Sequence, residues 1–456
     1  MKTARNLTKT SLFALGLAIA PLQLSAESLA SALTAAYNNS NLLEQQRATL
    51  RANDEDVAIA LSALLPQIAA EADLRLSDPV QPGADQLSSS IALTLQLLVW
   101  DAGRSQLTIE AAKETVLAVR AALVQQEQQV LLDAVNAYLQ VLRDGRVVQL
   151  RENNLRLITQ ELRAARDRFE VGEVTRTDVA QAEARLAEAR GSLVDAQGQL
   201  EISRELYKIA VGRRASGLDP IARLPKLPSS LEAAKAQARR INPLIDQAQH
   251  QIKAAELSFA ATKAATRPSI SLNGSAGHSS NANNSANIGL TMSVPIYQGG
   301  QLSALTRQSL AAVHSAKAGL NQTVLQVEQG VANAWSQLFV ANAQVDAADR
   351  QIRAARIAFE GVREEAKLGA RTTLDVLDAE QALFDARTNR VVSETQVYSA
   401  AYTLLSSVGV LTADALGLNV DRYDPSEYYN AVQSAPVPSS KQGKKLNRIL
   451  QRYQKN

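Results

Sequence analysis

Between Ser88 and Trp100, aliphatic side chains fall on every second residue: Ile91, Leu93, Leu95, Leu97 and Val99 alternate with Ala92, Thr94, Gln96 and Leu98. That is the period of a β-strand with one apolar face. Ile288, Leu290, Met292, Val294 and Ile296 repeat it, and an earlier stretch sets Ile68, Ala70, Ala72, Leu74 and Leu76 against Gln67, Glu71, Asp73 and Arg75. Aliphatics on one face and charges on the other suit a wall between lipid and water. A sheet in lipid has to close, because open edges leave backbone groups unpaired. Two short segments in each half of the chain give four strands, and the smallest single-chain barrels have eight. The chain is therefore expected to oligomerise, three copies giving twelve strands and two giving eight.

Around these segments the pattern changes to the longer period of helices. A first helix is predicted over Leu29 to Leu64 and again over Leu231 to Thr266. Very long helices follow from about Arg104 to Phe169 and from Leu302 to Ala366, and last helices from Thr177 to Val211 and from Leu374 to Val408. At 1.5 Å per residue the long helices reach roughly 100 Å, which no globular core requires.

The two sets of elements are one sequence written twice. Residue n matches residue n+197: Gly172, Thr175, Asp178, Val179, Ala182, Glu183 and Leu186 fall on Gly369, Thr372, Asp375, Val376, Ala379, Glu380 and Leu383. The same offset carries Ile91, Leu93, Thr94 and Gly103 onto Ile288, Leu290, Thr291 and Gly300. The expected organisation is a signal peptide at 1–26, a first repeat at 27–213, a linker at 214–230, a second repeat at 231–412 and a C-terminal extension at 413–456. The Pro/Ser/Lys-rich end of that extension, from Ala435, is expected to be disordered.

Lys2, Arg5 and Lys9 precede an apolar run from Leu12 to Leu24 and the small residues Ser25 and Ala26, the layout of a secretory signal cut after Ala26. No later stretch is long and apolar enough for a membrane helix. There is no cysteine, so disulfides and thiolate metal sites are excluded. The net charge of +3 is misleading: three basic residues lie in the signal and six in the tail, and removing those nine from 48 leaves 39 basic against 45 acidic residues. A body carrying about −6 argues against nucleic acid as a partner. His250, His278 and His314 are scattered, and no phosphate-cradling loop, nucleophile elbow or histidine-rich metal spacing occurs. Neither an enzyme nor a cofactor is expected.

The turns between the long and last helices carry the candidate chemistry. Gly172 and Gly369 tolerate the positive φ that ends a helix, while Thr175 and Thr372 stand three places before Asp178 and Asp375, a helix-start pattern. Capping is thus one role for both aspartates. Arg371 and Asp378 are different, because at offset 197 their counterparts are Val174 and Gln181. Residues needed merely to make the turn should occur twice, so these two are candidates for function. Asp375 and Asp378, spaced i, i+3, share a helix face.

The stretches SVPIYQGG from Ser293, RFEVGEVTRTDVAQAEARL from Arg168 and KLGARTTLDVLDAEQAL from Lys367 resemble the TolC-like outer-membrane efflux family, over nearly the whole chain up to about residue 412. The resemblance implies a mainly α fold with a membrane β-barrel: a homotrimer with a twelve-stranded barrel in outer-membrane lipid and an α-helical tunnel across the periplasm. It implies a channel subunit of a tripartite efflux or type I secretion system, partnered by a periplasmic adaptor and an inner-membrane pump of RND or ABC type. It further implies that Asp375 and Asp378 ring the periplasmic entrance and that Arg371 latches it through Thr177 and Asp178. A tyrosine that contributes to this latch in the family is replaced here by Ala366. Two other architectures compete. A periplasmic adaptor builds its strands around one hairpin, and a trimeric adhesin places one strand set at its C-terminus, whereas here the strands are internal and duplicated.

Overall fold

A computed structural model describes residues 27–76, 87–221, 223–280 and 282–453; the signal segment at 1–26 lies outside them. The two halves have the same element order. The first contains α1 (Leu29–Asn39), α2 (Asn41–Ser62), β1 (Gln67–Leu76), β2 (Leu87–Trp100), α3 (Arg104–Glu170) and α4 (Arg176–Val211). The second contains α5 (Leu231–Ile241), α6 (Pro243–Ala264), β3 (Ser269–Ser279), β4 (Ala282–Ser293), α7 (Gln301–Lys367) and α8 (Thr373–Val408). Both α3 and α7 are 67 residues long, and both α4 and α8 are 36. No helix among the described residues is long and apolar enough to cross a membrane.

The expected first helix of each half is broken in two, at Ser40 and at Asn242. Each break has a partner. The Asn39 side chain donates to the Val211 carbonyl at 3.2 Å, and Asn242 donates to the Ser407 carbonyl at 2.9 Å. The last helix of each half ends there on a left-handed glycine, Gly212 (φ +82°) or Gly409 (φ +99°), whose missing Cβ leaves room for the broken helix to approach.

The four strands form one antiparallel sheet in the order β1-β2-β3-β4. Its register sorts the side chains. One row reads Ile68, Leu95, Gly274, Ile288, and the next row on that face reads Ala70, Leu93, Ala276, Ala286. On the opposite face, alternating with these rows, lie Gln67, Gln96, Asn273, Gly289 and then Ala69, Thr94, Ser275, Asn287. Asn273 donates to Thr291 at 3.1 Å and Asn287 to Ser275 at 2.9 Å on this polar face. On the other face Ile68, Leu93 and Ile288 stand out into the surroundings, unshielded by any element among the described residues. Among the described residues, strands β1 and β4 each keep one edge open.

The main core gathers α1, the middle of α3, the end of α4 and the end of α8 around Tyr138, Tyr207, Leu131 and Val135. The segment between the halves is part of it. Ala215, Leu218, Ile221 and Leu227 pack on the core, Tyr138 donates to the Asp219 carbonyl at 2.6 Å, and Tyr398 donates to the Ile221 carbonyl at 2.8 Å. Glu27 joins the same knot, accepting from Tyr207 at 2.7 Å and Arg213 at 2.5 Å.

The C-terminal extension departs from the expectation of disorder. It carries α9 (Pro425–Val432) and α10 (Lys441–Tyr453), with Leu446 buried against Tyr428 and Val432. Leu446 and Ile449, three residues apart, turn inward on α10 among basic and polar neighbours.

Candidate functional site

At the far end of α3 and α7 the chain turns back twice in the same way. Gly172 (φ +81°) and Gly369 (φ +77°) reverse the backbone, and the amides of Glu173 and Ala370 each bond the carbonyl five residues earlier, both at 2.9 Å. These bonds satisfy carbonyls that the helix end would leave without partners. Thr175 and Thr372 then cap the following helices. The Thr175 hydroxyl accepts from the Asp178 amide at 3.3 Å, and the Asp178 carboxylate accepts from the Thr175 amide and hydroxyl at 2.8 Å. In the second turn Thr372 and Asp375 repeat this at 3.2, 2.9 and 2.8 Å. The bonds from Thr372, backbone first, hold the Asp375 carboxyl below the usual aspartate range, so it stays ionised. Capping is therefore an observed role of both Asp178 and Asp375.

The two turns face each other across a cleft of about 630 Å³, lined by Glu173, Thr175, Asp178, Ala366, Arg371, Thr372 and Asp375 among others. Arg371 and Asp178 share this cleft but are not bonded. Arg371 donates instead to Glu365 at 2.9 Å, and this hydrogen bond, with the field of Asp375 behind it, makes the guanidinium still harder to deprotonate. Thr177 stands exposed in the first turn of α4. Asp378, one turn inside α8, accepts from Arg185 of α4 at 2.8 Å. Within a single chain, then, each of the two residues peculiar to the second turn has an ionic partner that sequence reasoning did not single out.

Deeper in the same bundle lies a carboxyl of another kind. Glu380 of α8 is only 4% exposed; Asn154 of α3 donates to its Oε1 at 3.1 Å, while its Oε2 has no hydrogen-bond partner among the described residues. Burial foremost, then the nearby Glu161 carboxylate, push its pKa up to about 7, against the opposing pull of Asn154, Arg363 and Arg387. The repeat held a clue to this. Glu183, the counterpart of Glu380, pairs on the surface with Arg166 at 2.5 Å, whereas Arg363, the counterpart of Arg166, turns to Glu161 at 3.8 Å and leaves Glu380 without a salt bridge among the described residues.

The sequence and its fold have counterparts among known proteins. Residues 9–212 and 234–410 match the family model described as outer membrane efflux protein. The outer membrane efflux protein BepC of Brucella suis is 38% identical over 415 residues, spanning 89% of this chain and 91% of that protein. The outer membrane protein TolC of Vibrio cholerae is 26% identical over 418 residues, covering 86% of this chain and 93% of its own. Among solved structures, CusC superposes with a TM-score of 0.77 at 19% identity, over 84% of this chain and 92% of that one. The duplicated helices and four-stranded sheet described above are thus the fold of a known group, and the chain belongs to the outer membrane efflux protein family.

Proposed function

We propose that the paired turns form the periplasmic entrance of a transport channel, with Asp375 and Asp378 as its carboxylate ring and Arg371 as its latch. The chain is an outer-membrane channel subunit of a tripartite efflux or secretion system, and it is not an enzyme. It works as a homotrimer with a periplasmic adaptor and an inner-membrane pump, giving passive exit to toxic compounds or secreted protein. The observation that carries this reading is the sheet: it has one lipid-facing and one polar face, it is open at β1 and β4, and it continues into helices about 100 Å long. Three copies pairing β4 with the next β1 give a closed wall of twelve strands.

The entrance assignment is supported by the shared cleft, by the asymmetry between the two turns and by the ionised state of Asp375. Three copies of an aspartate pair at a constriction, Asp375 half-buried and Asp378 exposed, favour cations and raise the cost for anions. Arg371, held by Glu365 in the single chain, lies in the same cleft as Asp178, so exchange between the two carboxylates is the latching motion we assign to it. The units 27–213 and 231–412 about the strap 214–230 are proposed as the repeats that carry the two turns. Purified mature protein is expected in outer-membrane fractions and as a trimer in mild detergent, with steady cation-selective conductance in planar bilayers. A soluble full-length monomer without conductance contradicts the proposal.

A further inference from the structure

Asp54 of α2 is fully buried, and neither oxygen of its carboxylate has a hydrogen-bond partner among the described residues. A carboxylate held in the interior without a donor is costly to ionise. The cation that could pair with it is close by. Arg120 of α3 reaches Asp54 with its field, but its guanidinium is turned to the C-terminal extension: it donates to the Pro425 carbonyl at 3.2 Å and lies 5.3 Å from the centre of the Tyr429 ring. Its Nε has no acceptor among the described residues either.

The second half shows what the same two positions do on an open surface. An offset of 202, which carries Leu42 and Pro66 onto Leu244 and Pro268, carries Asp54 onto Glu256, and the offset of 197 carries Arg120 onto Lys317. Glu256 and Lys317 are both exposed, and they pair between α6 and α7 at 2.6 Å. In the first half the extension lies over the site. The Tyr423 ring stacks on the Arg47 guanidinium at 5.3 Å, and Tyr428 donates to Glu55 at 2.7 Å. Docking of α9 therefore draws Arg120 away from the acid it would otherwise meet and buries that acid alone.

We propose that α9 is a proton-linked clasp on α2 and α3, closed over a neutral Asp54 and loosened when Asp54 ionises and reclaims Arg120. The surrounding groups set the direction. On α2, Glu55 opposes ionisation of its neighbour, while Arg51 and Arg47 stand one and two turns earlier beside Glu44, at 2.7 and 3.6 Å. On α3, Arg120 favours ionisation, and Lys113, two turns away, is held by Glu110 at 2.8 Å. The extension contributes Tyr423, Tyr428, Tyr429 and Asp424. Burial pushes the Tyr428 hydroxyl up, so it stays a donor, and bonds from Ser426 hold Asp424 below the usual aspartate range. For Asp54 burial dominates, with Arg120 pulling against it and Glu55 adding to it, and the pKa rises from 3.8 to about 6. The preference for the closed clasp is thus fully present below pH 3.8 and is lost as pH rises through about 6.

The test is amide hydrogen exchange of the full mature trimer in mild detergent, read over Tyr428 to Val432 and corrected for the intrinsic effect of pH on exchange. Because the closed-state pKa stands about one unit above pH 5, wild-type protection should fall roughly tenfold between pH 5 and pH 8. Asp54→Asn should hold α9 equally well at both, and Asp54→Val, which brings no polar group to bury, should do the same. Glu256→Gln, at the open counterpart, should keep the wild-type fall. Protection over Val331 to Ala341 of α7, read in the same spectra, reports that each variant is folded. Wild-type protection that is the same at both pH values overturns the proposal. So does a fall that survives Asp54→Asn and Asp54→Val but disappears in Glu55→Gln, which assigns the titration to the bond with Tyr428.

Discussion

Glu380→Gln should stabilise the bundle near the turns in a way that depends on pH. The buried carboxyl has its pKa raised from the usual 4.5 to about 7. Its neutral form is therefore the one that the folded bundle prefers. The stabilisation is fully present below pH 4.5 and is lost as pH rises through about 7, where a charge must form in a site with one oxygen unpartnered. At about 1.4 kcal/mol for each tenfold change in acidity, the penalty at pH 8 is on the order of 3 kcal/mol. Glutamine is close in shape, keeps an oxygen for the Asn154 amide and carries no charge. Amide hydrogen exchange of α8 around Leu377 to Phe384 reads the local opening equilibrium, for which 3 kcal/mol corresponds to roughly a hundredfold. Exchange at pH 8 should slow in the variant by up to about that factor, with the two proteins converging near pH 4. The same ratio at both pH values would refute the reasoning, since it would mean that Glu380 ionises without cost.

Replacing both Asp375 and Asp378 with Asn should lower cation preference and weaken block by multivalent cations in planar bilayers, with the trimer intact. Arg371→Ser should raise conductance with little change in selectivity, because it removes the cation proposed to exchange between Glu365 and Asp178 and leaves the aspartates in place. Thr372→Ala removes the hydroxyl that caps α8 and should cost roughly 1 kcal/mol of local stability, seen as faster exchange in the first turn of α8. Gly409→Ala should cost more than Gly369→Ala in thermal melts. Both meet the left-handed strain of about 1–2 kcal/mol, but only at Gly409 does an added Cβ come within 2.9 Å of the Asn242 Cα.

Periodicity made the first-half strands and the long helices legible to within a residue or two, and the 197-residue offset placed both turns and their caps; in the second half the alternation from Ile288 to Ile296 overlaps only the end of β4 (Ala282–Ser293), and β3 was not located. The breaks at Ser40 and Asn242 were not legible as such, because apolar spacing continues through them, although both residues cap the helix that follows, Ser40 accepting from the Leu43 amide and Asn242 from the Leu244 amide. Pro243, at the first position of α6, was a further local signal. The partners of Arg371 and Asp378 were hidden for a related reason. Glu365 reaches across its own turn and Arg185 reaches from the other half, so neither follows from the spacing around the residue it binds. Burial of Glu380 is likewise a property of how α3 meets α8, although its surface-paired twin Glu183 marked the position as one to compare.

The open edges of the sheet bear on how the channel is made. One chain exposes a β1 edge and a β4 edge, and two chains joined in an arc still expose one of each. Adding the second chain hides no more raw backbone at the ends than there was before; only the third, by joining last to first, removes both ends at once. Assembly is therefore all-or-none in its reward, and partial rings should be short-lived in the membrane. One defective chain whose β4 cannot pair would spoil the two sound chains it joins, so a minority of such chains should silence most channels in a cell that makes both.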